Sequence, residues 1–251
     1  LECTSQTAPF NFNGNFTDDR FALLVKPNGG EIVKTNEYSE IDNSQIIKGK
    51  YTISEEGLLQ GELQIRSKGI QYNNIYSIEN SSKEEIDEHY KQNFSWINNL
   101  VLKKVKFTNN REDIEFVEAV NISGENYATN ASENSLMFPI NAFNQNYIIP
   151  KRYRTRKNPL EIIRGFIDED IIEVTIPNGY IVNAKPSDIE INEKFGTYKI
   201  KLEIINQSTL IYKRFVEIKK GFYDKSEYDN YRKFREQIAK NDNSKIIIQK
   251  P

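Results

Sequence analysis

The two residue types most useful for nucleophilic catalysis occur once each in this chain, as Cys3 and His89. A thiol-dependent enzyme needs its thiolate beside a base. Cys3 lies in a strand-like stretch at the start of the sequence, whereas His89 lies in a helical pattern, and nothing in their spacing brings them together. We therefore expect Cys3 to be a buried structural thiol and His89 to be a partly exposed helix residue.

Two acidic clusters, Asp18-Asp19 and Asp168-Glu169-Asp170, have the oxygen ligands that hard cations prefer. Neither follows the spacing of a calcium loop, and each is expected at a solvated turn, with Asp18-Asp19 pairing locally near Arg20. The chain also has no Gly-rich phosphate loop and no metal-binding His pair. The sequence therefore predicts no metal site and no cofactor, and an enzyme built on the acidic clusters is the weakest of the functional alternatives.

The segment 151–157 concentrates five cations in seven residues around one aromatic ring. Arg152, Tyr153, Arg154 and Arg156 are the candidate binding residues, because cations meet the charges of an anionic polymer while a ring stacks on a sugar or base. The alternative is a solvated linker or edge segment whose charges discourage pairing with another sheet. Four further tyrosines in Asn-rich stretches are candidate contact residues: Tyr72, Tyr76, Tyr127 and Tyr147.

Composition limits the function classes that remain. The net charge of −2 in 251 residues argues against a general nucleic-acid binder. No apolar run approaches the roughly 20 residues that span a bilayer. A single Cys excludes an internal disulfide framework and a Cys-based zinc site. The 37% hydrophobic content and 28% charge are typical of a globular protein with a real core.

The elements that must position these residues are mostly strands. Short alternating segments separated by turn residues, such as Pro177-Asn178-Gly179, predict a mainly β fold of antiparallel β-sandwich-like domains. One helix is expected near 82–93, because Ser82 and Glu85 form a capping box ahead of an apolar stripe. A C-terminal helix is expected near 226–240, followed by a last strand.

Prolines and charges between residues 139 and 159 mark the predicted domain boundary. The predicted division is a connector at 1–24, a β-rich domain with one helix at 25–148, and a sandwich-like domain with terminal helix and strand at 149–251. Whether the two β-rich regions form separate sandwiches or one joined assembly stays open at this point.

Several segments resemble bacterial transglutaminase-like proteins that carry flanking β-rich domains of unknown function. The segments are Leu1 to Gln6, Phe16 to Arg20, Asn158 to Asp170, Ile176 to Tyr180, Lys194 to Tyr198, Tyr231 to Phe234 and Asn243 to Ile246. The resemblance implies that residues 1–24 hold the end of the transglutaminase-like core and its connector. In that core the catalytic residues are a Cys, a His and an acid, and Glu2 stands at the position of the acid.

The resemblance implies a non-catalytic C-terminal accessory region of a secreted or periplasmic transglutaminase- or cysteine-protease-like protein. The nucleophile and base would lie upstream of Leu1, so the partner is the upstream core of the same protein, together with a protein or glycan. The alternative is a stand-alone carbohydrate-binding module that uses residues 151–157 and the loop tyrosines.

Overall fold

The computed structural model describes residues 7–10 and 12–251, which form sixteen strands, four α-helices and two short 3₁₀ turns. The strands are β1 (Phe21–Lys26), β2 (Gly29–Lys34), β3 (Ser44–Ile53), β4 (Leu59–Lys68), β5 (Val101–Asn110), β6 (Glu115–Gly124), β7 (Thr129–Ser132), β8 (Ser135–Pro139), β9 (Leu160–Ile162), β10 (Phe166–Thr175), β11 (Ile181–Ala184), β12 (Ile189–Glu193), β13 (Gly196–Ile204), β14 (Thr209–Ile218), β15 (Gly221–Tyr223) and β16 (Lys245–Gln249). The helices are α1 (Gly14–Thr17), α2 (Ile70–Ile75), α3 (Lys83–Asn93) and α4 (Tyr228–Asp242).

The strands form two main sheets and two small pairs. The large sheet has the order β12-β13-β14-β10-β3-β4-β6-β5, and the second sheet has the order β11-β16-β8-β7. β1 pairs with β2, and β9 pairs with β15. Among the described strands every pairing is antiparallel except that of β3 with β10, which is parallel. The predicted mainly β, antiparallel fold class is confirmed.

Local sequence chemistry explains the hairpins and the long helices. Gly57 closes the β3–β4 turn with a φ of +81°, a conformation that favours glycine. In the β13–β14 turn, the side-chain oxygen of Asn206 accepts backbone hydrogen bonds from Ser208 and Thr209. At the start of α3, Ser82 and Glu85 form the predicted capping box. Both predicted helices are present.

The core lies between the two sheets. Strand residues alternate between buried and exposed, as in β13, so one face of the large sheet turns inward. Tyr51 of β3 packs edge-on against Phe138 of β8, with ring centroids 6.5 Å apart. Its hydroxyl donates a hydrogen bond to the carbonyl oxygen of Ile140 at 2.8 Å. Contacts of this kind join the sheets into one packed core.

Strands from both sides of the predicted boundary at residue 149 belong to the same sheet. β3 and β10 pair over residues 44–52 and 167–175. The two β-rich regions are therefore joined through backbone hydrogen bonds. The division at residue 149 itself stays a prediction. No helix in the described ranges has the length and apolar character needed to cross a bilayer.

Candidate functional site

Of the residues considered for catalysis, Glu2, Cys3 and His89, the structure describes His89. Glu2 and Cys3 lie outside the described residues. His89 lies on α3, half-buried, with its Nε2 atom 2.8 Å from the side-chain nitrogen of Asn93. Burial lowers the pKa of His89, so its ring is neutral at pH 7.

The predicted binding segment forms an irregular, mostly exposed loop. Arg152, Tyr153 and Arg154 are exposed there, whereas Arg156 is partly buried. The guanidinium of Arg156 lies 4.1 Å from the ring centroid of Tyr228 on α4, and it donates a hydrogen bond to the carbonyl oxygen of Pro159. Arg156 therefore holds the loop against α4. The role of the segment in binding stays a prediction.

Three of the four candidate contact tyrosines are not exposed. Tyr72 and Tyr127 are core residues, and Tyr76 stacks on Tyr72 with ring centroids 4.8 Å apart. Only Tyr147 is exposed among the four. The Asn-rich stretch around Tyr72 and Tyr76 is helical, forming α2 and the 3₁₀ turn that follows it.

The acidic clusters are not the solvated turns that the sequence suggested. Asp18 is buried and forms an ion pair with Arg164, which is distant in sequence. Asp170 is also buried, on the core face of β10, and Asp168 lies on the same face. The described residues contain no group of three or more His, Cys, Asp or Glu side chains that is arranged to hold a metal ion.

Asp170 belongs to a buried ionic triad with Arg214 of β14 and Asp242 of α4. Arg214 Nη1 lies 3.0 Å from Asp170 Oδ2, and its Nε and Nη2 atoms lie 2.7 and 2.8 Å from the two Asp242 oxygens. Tyr198 and Asn144 complete the network by donating to Asp242 and Asp170. The bidentate geometry and the added donors are those that a buried ion pair requires. The triad joins α4 to the sheet.

The strand register explains why charges meet on the core face. Directly paired residues of neighbouring strands point to the same side of a sheet. One such row crosses the sheet from Glu118 through Ile65, Ile47 and Asp170 to Arg214. The core face of the sheet is therefore polar along this row, whereas the rows of paired residues nearer Ile53 and Leu59 are apolar.

A cavity of about 500 Å³ lies over this polar part of the sheet, bounded by α2, α3 and residues 143–148. We call it the polar cavity. Its lining combines carboxyl, amide, imidazole and aromatic groups: Gln45, Gln71, Asn74, His89, Tyr90, Gln92, Asn93, Trp96, Glu118, Asn144, Gln145, Asn146, Tyr147, Asp168 and Arg214. Such convergence of polar groups with aromatic rings in a concave site is typical of small-ligand pockets.

Two carboxyl groups in the polar cavity have raised pKa values. Burial raises the pKa of Glu118 to about 7, although Tyr90 donates a hydrogen bond to its Oε2 atom at 2.5 Å. Burial also raises the pKa of Asp168, opposed by the charge of Arg214 and by a 2.6 Å hydrogen bond from Gln71. Each carboxyl thus has a neutral hydrogen-bond partner.

Glu118 and Asp168 are too far apart to act on the same bond. Their strands, β6 and β10, are separated by β4 and β3 in the sheet. Three strand spacings are roughly 14 Å, whereas paired carboxyls that cleave a glycosidic bond lie about 5–10 Å apart. Glu118 and Asp168 are therefore not placed as an acid–base pair for a single bond.

A second candidate surface is the hairpin of β1 and β2. Phe21, Leu23 and Val25 lie on one of its faces together with Ile32, which pairs directly with Leu23. These four side chains are 63–79% exposed. We call this face the apolar ribbon. Contiguous exposed apolar side chains mark interaction surfaces in folded proteins.

The base of the apolar ribbon is fixed to the body of the protein by charges. Lys220, which follows β14, forms ion pairs with Asp19 and Glu37 on either side of the hairpin. Lys34 of β2 also pairs with Asp19, and these interactions lower the pKa of Asp19 to about 2. The base is thus anchored while the apolar face stays open.

The polar cavity brings together three candidate residues that the sequence suggested, His89, Tyr147 and Asp168. Glu118, Arg214 and the apolar ribbon were not among the candidates, although the sequence contains signals for them. Glu118 and Arg214 occupy inward positions of strands whose other inward residues are apolar, such as Val120 and Tyr212. A charge at such a position indicates a buried polar site. Phe21, Leu23 and Val25 alternate like a buried strand, although no sheet in the described ranges covers them.

Comparisons with known proteins find similarity over parts of the chain. Residues 134–248 match a family described as a domain of unknown function with a solved structure, DUF3858. A solved structure from Parabacteroides distasonis ATCC 8503, described as a "putative protease", is 19% identical with a TM-score of 0.35. That match covers 39% of this chain and 19% of the other, so it spans about a fifth of that protein. None of the curated proteins compared matches this chain.

Proposed function

We propose that this chain is a non-catalytic accessory region that docks onto a transglutaminase-like core of the same protein through the apolar ribbon. The proposal includes a secreted or periplasmic location, which comes from the sequence resemblance. The observation that carries it is the exposure of four large apolar side chains on a hairpin whose base is anchored. Residues 1–24, which the resemblance assigns to the end of that core and its connector, include the first four residues of this hairpin.

The energy available to such docking is substantial. Full burial of one large apolar side chain contributes about 1.5–3 kcal/mol. Four side chains that are about two-thirds to four-fifths exposed therefore offer on the order of 4–9 kcal/mol before the costs of association. An isolated two-stranded hairpin is marginally stable in water, so a covering domain also explains how the ribbon keeps its shape.

The non-catalytic part of the proposal rests on the geometry of the polar groups. Glu118 and Asp168 lie roughly three strand spacings apart. His89 has an amide side chain as its hydrogen-bond neighbour, not a nucleophile. We expect the chain alone to have no hydrolase, peptidase or acyl-transfer activity.

A second candidate function is the carbohydrate-binding module, favoured by the exposure of Arg152, Tyr153 and Arg154 on one loop. A sulfated or uronic-acid polymer would then raise the melting temperature, and Arg152→Ala with Arg154→Ala would abolish the shift. Arg156 is unsuitable for this test, because it packs on Tyr228. The absence of any shift with the parent chain would contradict this candidate.

The docking proposal is tested with the upstream core of the source gene, produced separately, and this chain in a binding assay. Leu23→Thr with Ile32→Thr should weaken binding about a hundredfold, since two apolar contacts of about 1.5 kcal/mol each are lost while strand-forming residues are kept. Leu24→Thr is the matched control, because Leu24 lies on the opposite face of the hairpin.

Three outcomes would contradict the docking proposal. One is that the parent chain does not bind the core at all. Another is that Leu24→Thr weakens binding as much as the pair Leu23→Thr and Ile32→Thr. The third is that the upstream sequence has no Cys and His in a transglutaminase-like arrangement.

A further inference from the structure

We propose that the polar cavity is a binding site for an organic ammonium group carried on a polar scaffold, as in amino sugars and basic amino acids. This site is separate from the apolar ribbon and goes beyond the docking function. It is argued from the charge balance, the hydrogen-bond partners and the aromatic rings of the cavity.

The first observation is the unbalanced charge of the cavity. Arg214 is the sole cation among the described residues that line it, and its guanidinium already forms ion pairs with Asp170 and Asp242. His89, whose pKa is lowered by burial, is neutral. Asp168 lies near the positive charges of Arg214 and of Arg235 on α4, whereas no cation in the described lining pairs with Glu118. A buried carboxylate without a cation is costly, and a ligand cation removes that cost.

The second observation is that the Glu118 side chain is buried and held in one position. It is 3% exposed, and among the described residues its hydrogen-bond partner is the hydroxyl of Tyr90, which contacts only Oε2. Tyr90 is itself buried on α3. The carboxyl is thus fixed in place by a donor on one oxygen, which leaves the other oxygen to accept from a ligand.

The third observation selects an organic cation over a metal ion. Trp96 is held by a 2.9 Å hydrogen bond from its Nε1 to the carbonyl oxygen of Ala142, and its ring lies 6.4 Å from that of Tyr147. Rings of this kind attract ammonium groups and pack on the carbon atoms that carry them. The surrounding amides, such as Gln71 and Asn93, suit hydroxyl or amide groups of the scaffold.

Several titratable groups line the cavity together with Glu118 and bear on the pH dependence of binding. They are His89 and Tyr90 on α3, Asp168 on β10 and Arg214 on β14. Because the pKa of Glu118 is about 7, a bound ammonium would displace the proton from about half of the molecules at pH 7. Amine affinity should therefore fall as the pH is lowered from 7 to 5, where the amines stay charged and Glu118 becomes protonated.

The test is isothermal titration calorimetry of the whole chain with D-glucosamine and L-lysinamide. N-acetyl-D-glucosamine and the doubly acetylated lysinamide are the neutral counterparts. At least one amine should bind ten times more tightly than its acetylated form. The two amines distinguish a sugar scaffold from an amino-acid scaffold. Binding of neither amine, or equal binding of amine and acetylated form, would overturn the proposal.

Substitutions locate the site. Glu118→Gln should weaken amine binding about ten- to a hundredfold, because a charged hydrogen bond is replaced by a neutral one. The exposed Glu133→Gln is the matched control and should leave the affinity unchanged. If Glu118→Gln does not fold, the parent chain provides the test. Calorimetry of amine binding in two buffers at pH 7 should then show release of about half a proton per bound amine. Unchanged affinity in Glu118→Gln, or no proton release, would contradict the assignment. Either failure would leave the ribbon proposal standing, because these titrations contain no core domain.

Discussion

Replacement of Arg214 by Met should destabilise the fold more than a substitution that removes an exposed ion pair. Arg214, Asp170 and Asp242 are all about 99–100% buried at their side chains, and Arg214 donates to both carboxylates. Removal of one partner from a buried ion pair typically costs about 3–5 kcal/mol, because the remaining charge stays buried without compensation. Whole domains are stable by only about 5–15 kcal/mol, so Arg214→Met should lose a large share of the total.

The pH dependence of this variant provides an internal check. Burial raises the pKa of Asp170, and Arg214 opposes that shift. The pKa of Asp170 is about 7 even with Arg214 present, so the parent gains stability as the pH falls. Without Arg214 that pKa rises further, so the variant gains more than the parent. The loss of unfolding free energy in Arg214→Met relative to the parent should therefore become smaller as the pH is lowered from 7 to 5.

Urea denaturation followed by circular dichroism measures this effect. The control is Arg66→Met, which removes the same residue type from an exposed pair with Glu115 on the outer face of the sheet. It should cost no more than about 1 kcal/mol. Equal costs for the two variants, or a deficit for Arg214→Met that does not depend on pH, would refute the reasoning.

Three further predictions concern stability measured in the same way. Because burial raises the pKa of Glu118 to about 7, this carboxyl should contribute roughly 2–3 kcal/mol of stability as the pH falls from 8 to 5; Glu118→Gln should gain less than the parent by about this amount, the gain from Asp170 being common to both, and equal gains in the two proteins would contradict the prediction. Gly57→Ala should cost about 3 kcal/mol of stability and Gly179→Ala about 1 kcal/mol. Both glycines have φ near +80°, but of the two only at Gly57 would an added Cβ meet a backbone oxygen, that of Ala128. Equal costs for the two variants would contradict the steric clash. Ser82→Ala should cost about 1 kcal/mol through loss of the α3 cap, and no change would contradict a stabilising cap.

Local signals in the sequence were sufficient for the hairpins and the two long helices. Pro27-Asn28 joins β1 to β2, and the capping box at Ser82 starts α3, because turn and cap chemistry depends on a few adjacent residues. The helix α2 was not predicted, since the stretch Ile70–Ile75 is short and has no apolar stripe. It is held instead by packing of Tyr72 against Phe116.

The order of strands in the large sheet could not be predicted from local pattern. β3 and β10 are more than a hundred residues apart in sequence, and the parallel pairing between them depends on packing of the whole core. Such a pairing leaves no signature in either strand, because alternation is the same for parallel and antiparallel neighbours that cover one face.

The buried charges were missed for a different reason. The alternation of β14 is read most easily from Leu210, Tyr212, Val216 and Ile218, which leaves Arg214 as an apparent exception to an apolar face. That exception is the informative residue, since a charge on the inward side of a strand requires a partner. The same reading applies to Glu118 on β6 and to Asp170 on β10.

The central claim, that the apolar ribbon is a docking surface, is tested most directly by hydrogen–deuterium exchange. The amides of residues 21–34 should exchange rapidly in the isolated chain, because the hairpin pairs with no other strand among the described residues. Addition of the separately produced transglutaminase-like core should slow exchange in 21–34 and leave the outer face of the large sheet unchanged. Complex formation with no protection of 21–34 would contradict the account.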